Sequence, residues 1–249
     1  MSKVSINNVS KIFESKGIEY KSLESIDLKV NDGEFLCILG PSGCGKSTIL
    51  RLIAGLDIPS TGEIIMDDEV IIGPDHKRGM VFQEYSLFPW RSVIDNVAFP
   101  LEMKGIPEEE RYKIAEEYLK IVGLENFKDS KPHELSGGMK QRVAIVRSLA
   151  GDPEVLLMDE PFGALDIKTR NQLQKDLLKI WEDKGKTIIF VTHSVDEAVF
   201  LGDRVVLMSK SPGKIAKIFE VDIKRMRDRL DPDYLKLKQE IMNMLESGE

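Results

Sequence analysis

One short segment of this sequence has the residue types and the spacing needed to hold a phosphate group. Residues 40–47 read Gly-Pro-Ser-Gly-Cys-Gly-Lys-Ser and fit the pattern G-x-x-x-x-G-K-[ST]. Glycine allows backbone dihedral angles that other residues avoid, so successive N–H groups of such a loop converge on an anion. Lys46 supplies a mobile positive charge for the outer phosphates, and the Ser47 hydroxyl suits Mg²⁺. The nucleotide-binding residues predicted here are Gly40, Pro41, Ser42, Gly43, Cys44, Gly45, Lys46, Ser47 and Thr48.

Cys44 lies inside this loop and has two interpretations. It is either a small residue that fills space, or a thiol whose acidity is increased by the start of the following helix. The second cysteine of the chain is Cys37, and the two give neither a disulfide framework nor a zinc-binding spacing.

Two adjacent carboxylates follow an apolar run and predict hydrolytic chemistry. Val155–Met158 is apolar throughout, and Asp159 and Glu160 come directly after it. Acids at the end of such a strand need solvent or a cation, so we expect Asp159 to hold Mg²⁺ directly or through water. Glu160, one residue further on, is placed to polarise the attacking water.

A histidine stands at the end of a second apolar strand. The strand 186–192 leads into His193, which we expect to sense or stabilise the phosphoryl group being transferred. Ser194 and Glu197 have the spacing of a capping box for the next helix.

A second helix start is suited to an anion but carries no phosphate-loop lysine. Ser136, Gly137 and Gly138 open an apolar helical segment at 143–150. A generic nucleotide kinase or GTPase has no use for such a second site, although a glycine-containing helix cap would look the same.

The pattern between these motifs alternates strands and helices. The first 80 residues are β-rich, with apolar runs at 4–13, 23–30, 35–39 and 62–72, whereas residues 93–150 have helical periodicity. Pro107 and Gly123 bound one helix, and a tail helix starts near Pro232. This order predicts a layered α/β domain that binds ligands at the carboxyl ends of its strands.

The composition restricts the partners and the compartment. The chain has 249 residues and a net charge of −7, which argues against nucleic acid as a partner. No run of about 18 apolar residues and no signal-peptide core are present, so we expect a cytoplasmic chain. Any role at a membrane is then expected to come through a partner.

The motifs together resemble the ATP-binding subunits of ABC transporters over nearly the whole chain. They occur in that family's order, with LSGGMKQR at 135–142 and LLMDEP at 156–161. The others are the phosphate loop at 40–48, Gln83 in Val-Phe-Gln-Glu, Ala164-Leu165-Asp166, and His193.

This resemblance implies an α/β fold: a P-loop NTPase core of mostly parallel sheet with helices, an N-terminal antiparallel β subdomain and an inserted helical subdomain. We expect one domain over 1–249. Its parts are about 1–80 (β-rich with the phosphate loop), about 84–150 (helical, with the LSGG segment), about 151–220 (catalytic core) and 221–249 (helical tail).

The resemblance also implies a shared site for ATP and Mg²⁺. The LSGG segment of one copy would close over ATP held by the phosphate loop of a second copy in a head-to-tail dimer. Ser136, Gly137 and Gly138 would then contact the partner's γ-phosphate, and Asp166 would bridge the two sites. Gln83 would touch Mg²⁺ and report nucleotide state to membrane permease subunits. Phe13 matches the aromatic that stacks on adenine, although Tyr20 competes for this role.

The catalytic residues expected overall are Glu160, His193, Gln83 and Lys46, and the metal ligands are Ser47, Gln83 and Asp159.

Segment 85–93, with its Leu-Phe-Pro-Trp, resembles the importer subgroup for nitrate, sulfonates and taurine. The segments 211–215 and 224–231 point the same way. Apolar residues in 85–93 indicate either a docking surface for another protein or the core of the helical subdomain.

The leading hypothesis is a transport ATPase at the cytoplasmic face of the membrane, working with permease subunits and, indirectly, an extracytoplasmic solute-binding protein. One alternative is an ABC-type ATPase that acts on nucleic acid or ribosomes. Such proteins carry long coiled coils or two cassettes in one chain, and neither is found here. Another is a nucleotide-binding regulator without turnover, against which Glu160 argues.

Overall fold

A computed structural model describes residues 2–163 and 165–247. The chain forms two compact units, one of residues 1–75 with 186–249 and the other of residues 76–185. Ala164, part of the resemblance given above, lies outside the described residues. In chain order the elements are β1 (Ser2–Ser15), β2 (Ile18–Asn31), β3 (Phe35–Leu39), α1 (Lys46–Ala54), β4 (Thr61–Met66), β5 (Glu69–Val70), β6 (Arg78–Val81), α2 (Val93–Met103), α3 (Glu108–Ile121), α4 (Gly137–Ala150), β7 (Val155–Asp159), α5 (Ile167–Lys184), β8 (Thr187–Thr192), α6 (Val195–Leu201), β9 (Arg204–Met208), β10 (Ile215–Glu220) and α7 (Pro232–Ser247).

The first unit contains a buried parallel arrangement that ends at the phosphate loop. Strand β3 lies between β8 and β9 and pairs with both in parallel, while β10 pairs antiparallel with β9. All five residues of β3 and all six of β8 are buried, as expected for strands covered on both faces. Residues 40–45 and 193 therefore follow the carboxyl ends of neighbouring strands.

The same unit contains an antiparallel sheet in the order β2-β1-β4-β5. The second half of β2 alternates buried and exposed residues, which is typical of a sheet with one face against the core. The long strands β1 and β2 extend beyond the apolar runs predicted for them, because their paired ends continue as an exposed hairpin around Gly17.

The second unit has a helical core and two parallel strands. Strand β6 pairs in parallel with β7, and helices α2, α3 and α4 enclose an apolar cluster that includes Val97, Leu119 and Val146. Helix α3 begins after Pro107 and ends two residues before Gly123, which confirms the two boundary signals. None of the helices in the described ranges is long and apolar enough to cross a membrane.

Candidate functional site

The phosphate loop of the first unit is shaped by a left-handed turn before α1. Gly45, the N-cap of α1, has φ of 95°, and a Cβ there would approach Leu23 Cδ2 to 2.5 Å. No side chain caps this helix and its first turn holds no acid, so its N–H groups and positive end suit an anion. Lys46 is buried and donates to the carbonyls of Gly40, at 2.8 Å, and Pro41, at 3.0 Å.

Two chain segments beside the loop, one at residues 22–24 and one at Gly213, are hydrogen-bonded to each other. Gly213 donates its N–H to the Ser22 carbonyl at 2.9 Å and accepts from the Glu24 N–H at 3.0 Å. The Ser22 hydroxyl is 3.0 Å from the Thr48 hydroxyl. Cys44 is 1% exposed and its Sγ would be 2.8 Å from a Cβ on Gly40, which favours the space-filling interpretation of this thiol.

The two aromatic candidates for the base face each other across the β1–β2 hairpin. Phe13 pairs directly with Tyr20. The Tyr20 hydroxyl is 2.8 Å from the Ser211 hydroxyl and 3.4 Å from the Gly43 carbonyl of the phosphate loop. The Lys11 ammonium lies 4.9 Å from the centre of the Phe13 ring. The choice between the two rings stays a prediction.

His193 is exposed and directly follows β8 in the first unit. The capping box predicted for α6 forms only in part. The Ser194 hydroxyl accepts from the Glu197 N–H at 3.4 Å, but the Glu197 carboxylate accepts from the Thr192 hydroxyl instead of the N-cap N–H. The Ser194 N–H donates to the Thr192 hydroxyl at 3.0 Å. The difference arises because buried Thr192 offers both a donor and an acceptor to its neighbours.

The second unit carries the paired carboxylates at the end of β7. Asp159 is the last residue of that strand, and both acids are half-buried. Glu160 has φ of 43°, in the left-handed region that side-chain-bearing residues rarely adopt. Backbone strain of this kind is concentrated at functional sites.

The LSGG segment forms the start of α4 in the same unit. Exposed Ser136 caps the helix and accepts from the Met139 N–H at 3.3 Å. A Cβ on Gly137 would lie 3.0 Å from the Tyr85 hydroxyl, and one on Gly138 would lie 2.6 Å from Thr169 Cγ2. The first turn holds no acid, so this second helix start also suits an anion.

An arginine of α4, which the sequence did not single out, is hydrogen-bonded to the segment after Gln83. The Arg147 guanidinium donates to the carbonyls of Ser86, at 2.7 Å, and Tyr85, at 3.3 Å, and burial lowers its pKa. Gln83 itself is exposed. A single arginine within a helical pattern gives no sequence signal for such a contact.

Asp166 is exposed and forms the N-cap of α5. Its carboxylate accepts from the Thr169 N–H at 3.0 Å, and hydrogen bonds from Thr169 lower its pKa.

The predicted site residues are divided between the two units. The first unit holds Phe13, the phosphate loop and His193. The second unit holds Gln83, Asp159, Glu160, Asp166 and Ser136 to Gly138.

The segment 85–93 divides between the two interpretations given for it. Leu87 and Val93 pack into the helical core. Phe88 lines an open groove of about 820 Å³, and Trp90 is 72% exposed. The groove is lined by apolar residues that include Phe99 and by cations, and none of the described lining residues is acidic.

We expect Asn96→Leu to lower the free energy of unfolding by about 2 to 3 kcal/mol. The fully buried Asn96 amide accepts from the Phe88 N–H at 2.8 Å and donates to the carbonyls of Phe88, at 3.2 Å, and Ser92, at 2.8 Å. Leucine would leave the Phe88 N–H without this acceptor, and the carbonyls of Phe88 and Ser92 would keep only their backbone donors. Urea unfolding followed by tryptophan fluorescence measures the change. The exposed Asn243→Leu is the control, and an unchanged midpoint for Asn96→Leu would contradict the prediction.

The family comparison decides what these motifs belong to. Residues 23–163, which are more than half of the chain, match the protein family described as "ABC transporter". The chain belongs to the ABC transporter family. It is therefore an ATP-binding, ATP-hydrolysing cassette, and its α/β fold with an antiparallel sheet and a helical part is that of an ABC ATPase.

Several known ABC proteins are similar over most of their length. The taurine import ATP-binding protein of Roseobacter denitrificans is 46% identical over 98% of this chain and 94% of its own. The aliphatic sulfonates import ATP-binding protein of Bacillus thuringiensis subsp. konkukian is 47% identical over 98% and 96%. These relatives confirm the resemblance to the importer subgroup. A dimeric ATP-binding cassette solved in a post-hydrolysis state with ADP and Pi has 38% identity and a TM-score of 0.79, over 88% of this chain and 98% of that one.

The residues of this ABC cassette fit a magnesium nucleotide. No group of three or more His, Cys, Asp or Glu residues suited to a metal occurs in the described parts of the chain. Mg²⁺ is usually held by one or two carboxylates together with substrate phosphates and water, so it needs no such group. The carboxylate of Asp159, the hydroxyl of Ser47 and the amide of Gln83 are each an oxygen donor of a type that Mg²⁺ accepts.

Proposed function

We propose that this chain is the energy-coupling ATPase subunit of an ABC importer for a small solute of the nitrate, sulfonate and taurine class. The observation that carries the proposal is the pair of helix starts. One follows a phosphate loop and begins with its lysine, and the other is the serine-capped, glycine-rich start of α4, which has no phosphate-loop lysine. The import names of the relatives support transport over action on nucleic acid or ribosomes.

The residue roles follow from these positions and chemistries. The loop 40–48 and Lys46 bind the phosphates of ATP, and an aromatic of the β1–β2 hairpin stacks on the base. Ser47, Asp159 and Gln83 hold Mg²⁺, which neutralises charge on the phosphate oxygens when bound.

Hydrolysis is assigned to two further side chains. Glu160 orients the attacking water and accepts its proton, while His193 donates a hydrogen bond to the γ-phosphate as charge develops there. Both lie directly after buried strands, β7 and β8, which restrict their backbones.

We propose that two copies form one working unit. Ser136, Gly137 and Gly138 of one copy close over the nucleotide on the other, and Asp166 links the two sites. The dimeric state of similar solved cassettes supports this arrangement. It explains why one chain carries two anion-binding helix starts.

We propose that a short cytoplasmic helix of a permease subunit occupies the groove beside Phe88. The groove combines apolar walls with Arg78, Lys104 and Arg147, so it suits an apolar helix that carries an acidic residue. It adjoins the segment after Gln83, which Arg147 fastens. The chain would then work at the cytoplasmic face of the membrane, served by an extracytoplasmic solute-binding protein.

The test compares two substitutions at matching places. Met103 and Ile121 are the last residues of α2 and α3, and each is more than half exposed, but only Met103 lines the groove. We expect Met103→Asp to reduce co-purification with the permease subunit by at least about tenfold, since the new carboxylate removes apolar contact area and repels the acidic residue of the docking helix. We expect Ile121→Asp to have no effect, and both to keep the ATPase activity of the isolated chain.

Equal recovery of the permease with both variants would remove the groove from the proposal. Failure of the unaltered chain to co-purify with any permease would overturn the importer assignment itself. Uptake of labelled taurine, alkanesulfonates or nitrate by the reconstituted complex then identifies the solute class.

A further inference from the structure

The short helix α6 starts two residues after His193, and the C-terminal segment of the chain contacts both of its ends. Seven residues are too few for a helix to be stable by itself. Its orientation must therefore come from packing, and the orientation of His193, which lies between β8 and this helix, depends on both elements. The contacts at each end identify what supplies that packing.

At the first turn of α6, a single carboxylate collects three donors from the C-terminal segment. Asp196 accepts from Arg229 Nε at 2.7 Å, from Lys238 Nζ at 2.8 Å and from the Tyr234 hydroxyl at 3.1 Å. The Tyr234 hydroxyl also donates to the Asp196 carbonyl at 2.9 Å. Burial opposes the charge of Asp196, but the hydrogen bonds from Lys238 and Arg229 lower its pKa. The carboxylate is therefore charged at neutral pH.

At the last turn, Arg227 caps the carboxyl end of α6. Its guanidinium donates to the carbonyls of Val199, at 2.7 Å, Phe200, at 3.1 Å, and Gly202, at 2.7 Å. These are acceptors that a helix end leaves without intrahelical partners. Arg227 is 5% exposed, and burial lowers its pKa to about 10, so it too remains charged at neutral pH. The Arg229 guanidinium lies 3.9 Å from the Phe200 ring centre.

Helix α7 connects this region with the phosphate loop. Its first half supplies Tyr234 and Lys238 to α6, and its second half supplies Met244 and Leu245 to a small cavity that Pro41 also lines. Segment 224–231 and the tail helix thus contact α6, although none of the catalytic roles assigned above involves them.

We propose that residues 227–238 are a clamp that holds His193 in its working orientation, with Asp196 and Arg227 as positioning residues for hydrolysis. The inference rests on the role proposed for His193. The clamp acts on the hydrolytic step, because its contacts at α6 are to the helix that follows His193. ATP binding by the phosphate loop does not depend on those contacts.

The test is Asp196→Asn, with Lys238→Met breaking the same contact from α7. Both side chains are about one-third exposed, so folding should survive either change. We expect kcat for ATP to fall about ten- to a hundredfold, with KM and the Kd for ATP unchanged, because small misplacement of a catalytic group has effects of this size. Asp196→Glu should restore part of the lost rate.

The control is Glu240→Gln, which breaks an ion pair from α7 to Lys217 of β10 and leaves α6 alone. We expect its kinetics to match those of the unaltered chain. A purely structural role for Asp196 would lower thermal stability and ATP affinity together and leave kcat per folded molecule unchanged, and this result would overturn the clamp.

A double-mutant cycle makes the assignment specific. If Asp196 acts through His193, adding Asp196→Asn to His193→Ala should cost no further activity. Fully additive losses would overturn the clamp. Unimpaired turnover by His193→Ala alone would instead refute the role proposed for His193, so the two failures are distinguishable.

Discussion

Glu160→Gln is expected to reduce ATP turnover by about 10²- to 10⁴-fold while ATP binding stays intact. Glutamine keeps the size of the side chain but cannot accept the proton of the attacking water. The phosphate loop that binds ATP is left unchanged. Because hydrolysis no longer ends the ATP-bound state, the variant should accumulate as a dimer with ATP, measured by size-exclusion chromatography with light scattering. Normal turnover in this variant would remove Glu160 from the role of base.

The same variant allows the arrangement of the dimer to be tested. Both native cysteines are buried, whereas Ser42 and Ser136 are exposed. One population carries Ser42→Cys and a second carries Ser136→Cys, each with Glu160→Gln. A short thiol cross-linker should join chains in the mixture when ATP is added, and should join neither population by itself. Absence of the ATP-dependent product would contradict a head-to-tail site.

His193→Ala is expected to reduce turnover by about 10²-fold or more. An imidazole that donates to the developing charge on the γ-phosphate contributes more in the transition state than in the bound substrate. The kcat should therefore fall, whereas the Kd for ATP should stay close to that of the unaltered chain. Steady-state phosphate release and nucleotide titration measure the two quantities.

The matched control is His133→Ala, since His133 is also exposed but lies in a short turn of the second unit. We expect no change in its turnover. A similar loss in both variants would show that the His193 effect is not specific to the end of β8.

The sequence was most informative where a chemical requirement fixes both residue type and spacing. The loop 40–47 must have glycine at its turn before α1, and the structure places Gly45 there with a positive φ. Apolar runs covered on both faces predicted β3, β7 and β8, because only buried strands lack alternation. Pro107 and Gly123 predicted the bounds of α3 for equally local reasons.

The remaining features depend on side-chain contacts that no sequence pattern indicates. The carboxylate of Glu197 accepts from the Thr192 hydroxyl instead of completing a capping box with the N-cap N–H. The contacts of Arg147 with the segment after Gln83, and of Arg227 with α6, join residues that no periodicity relates. Whether Phe13 or Tyr20 stacks on the base is open for the same reason: the hairpin pairs them directly.

The backbone at Glu160 has a consequence for how this protein can be improved. Its φ of 43° is tolerated best by glycine or asparagine, and a glutamate held there gives up about 1 kcal/mol of stability. A programme of directed evolution that rewards heat resistance alone would therefore gain by replacing this residue. With Glu160 as the proposed base, stability and turnover oppose each other at this position, and any such screen should measure product as well as surviving protein.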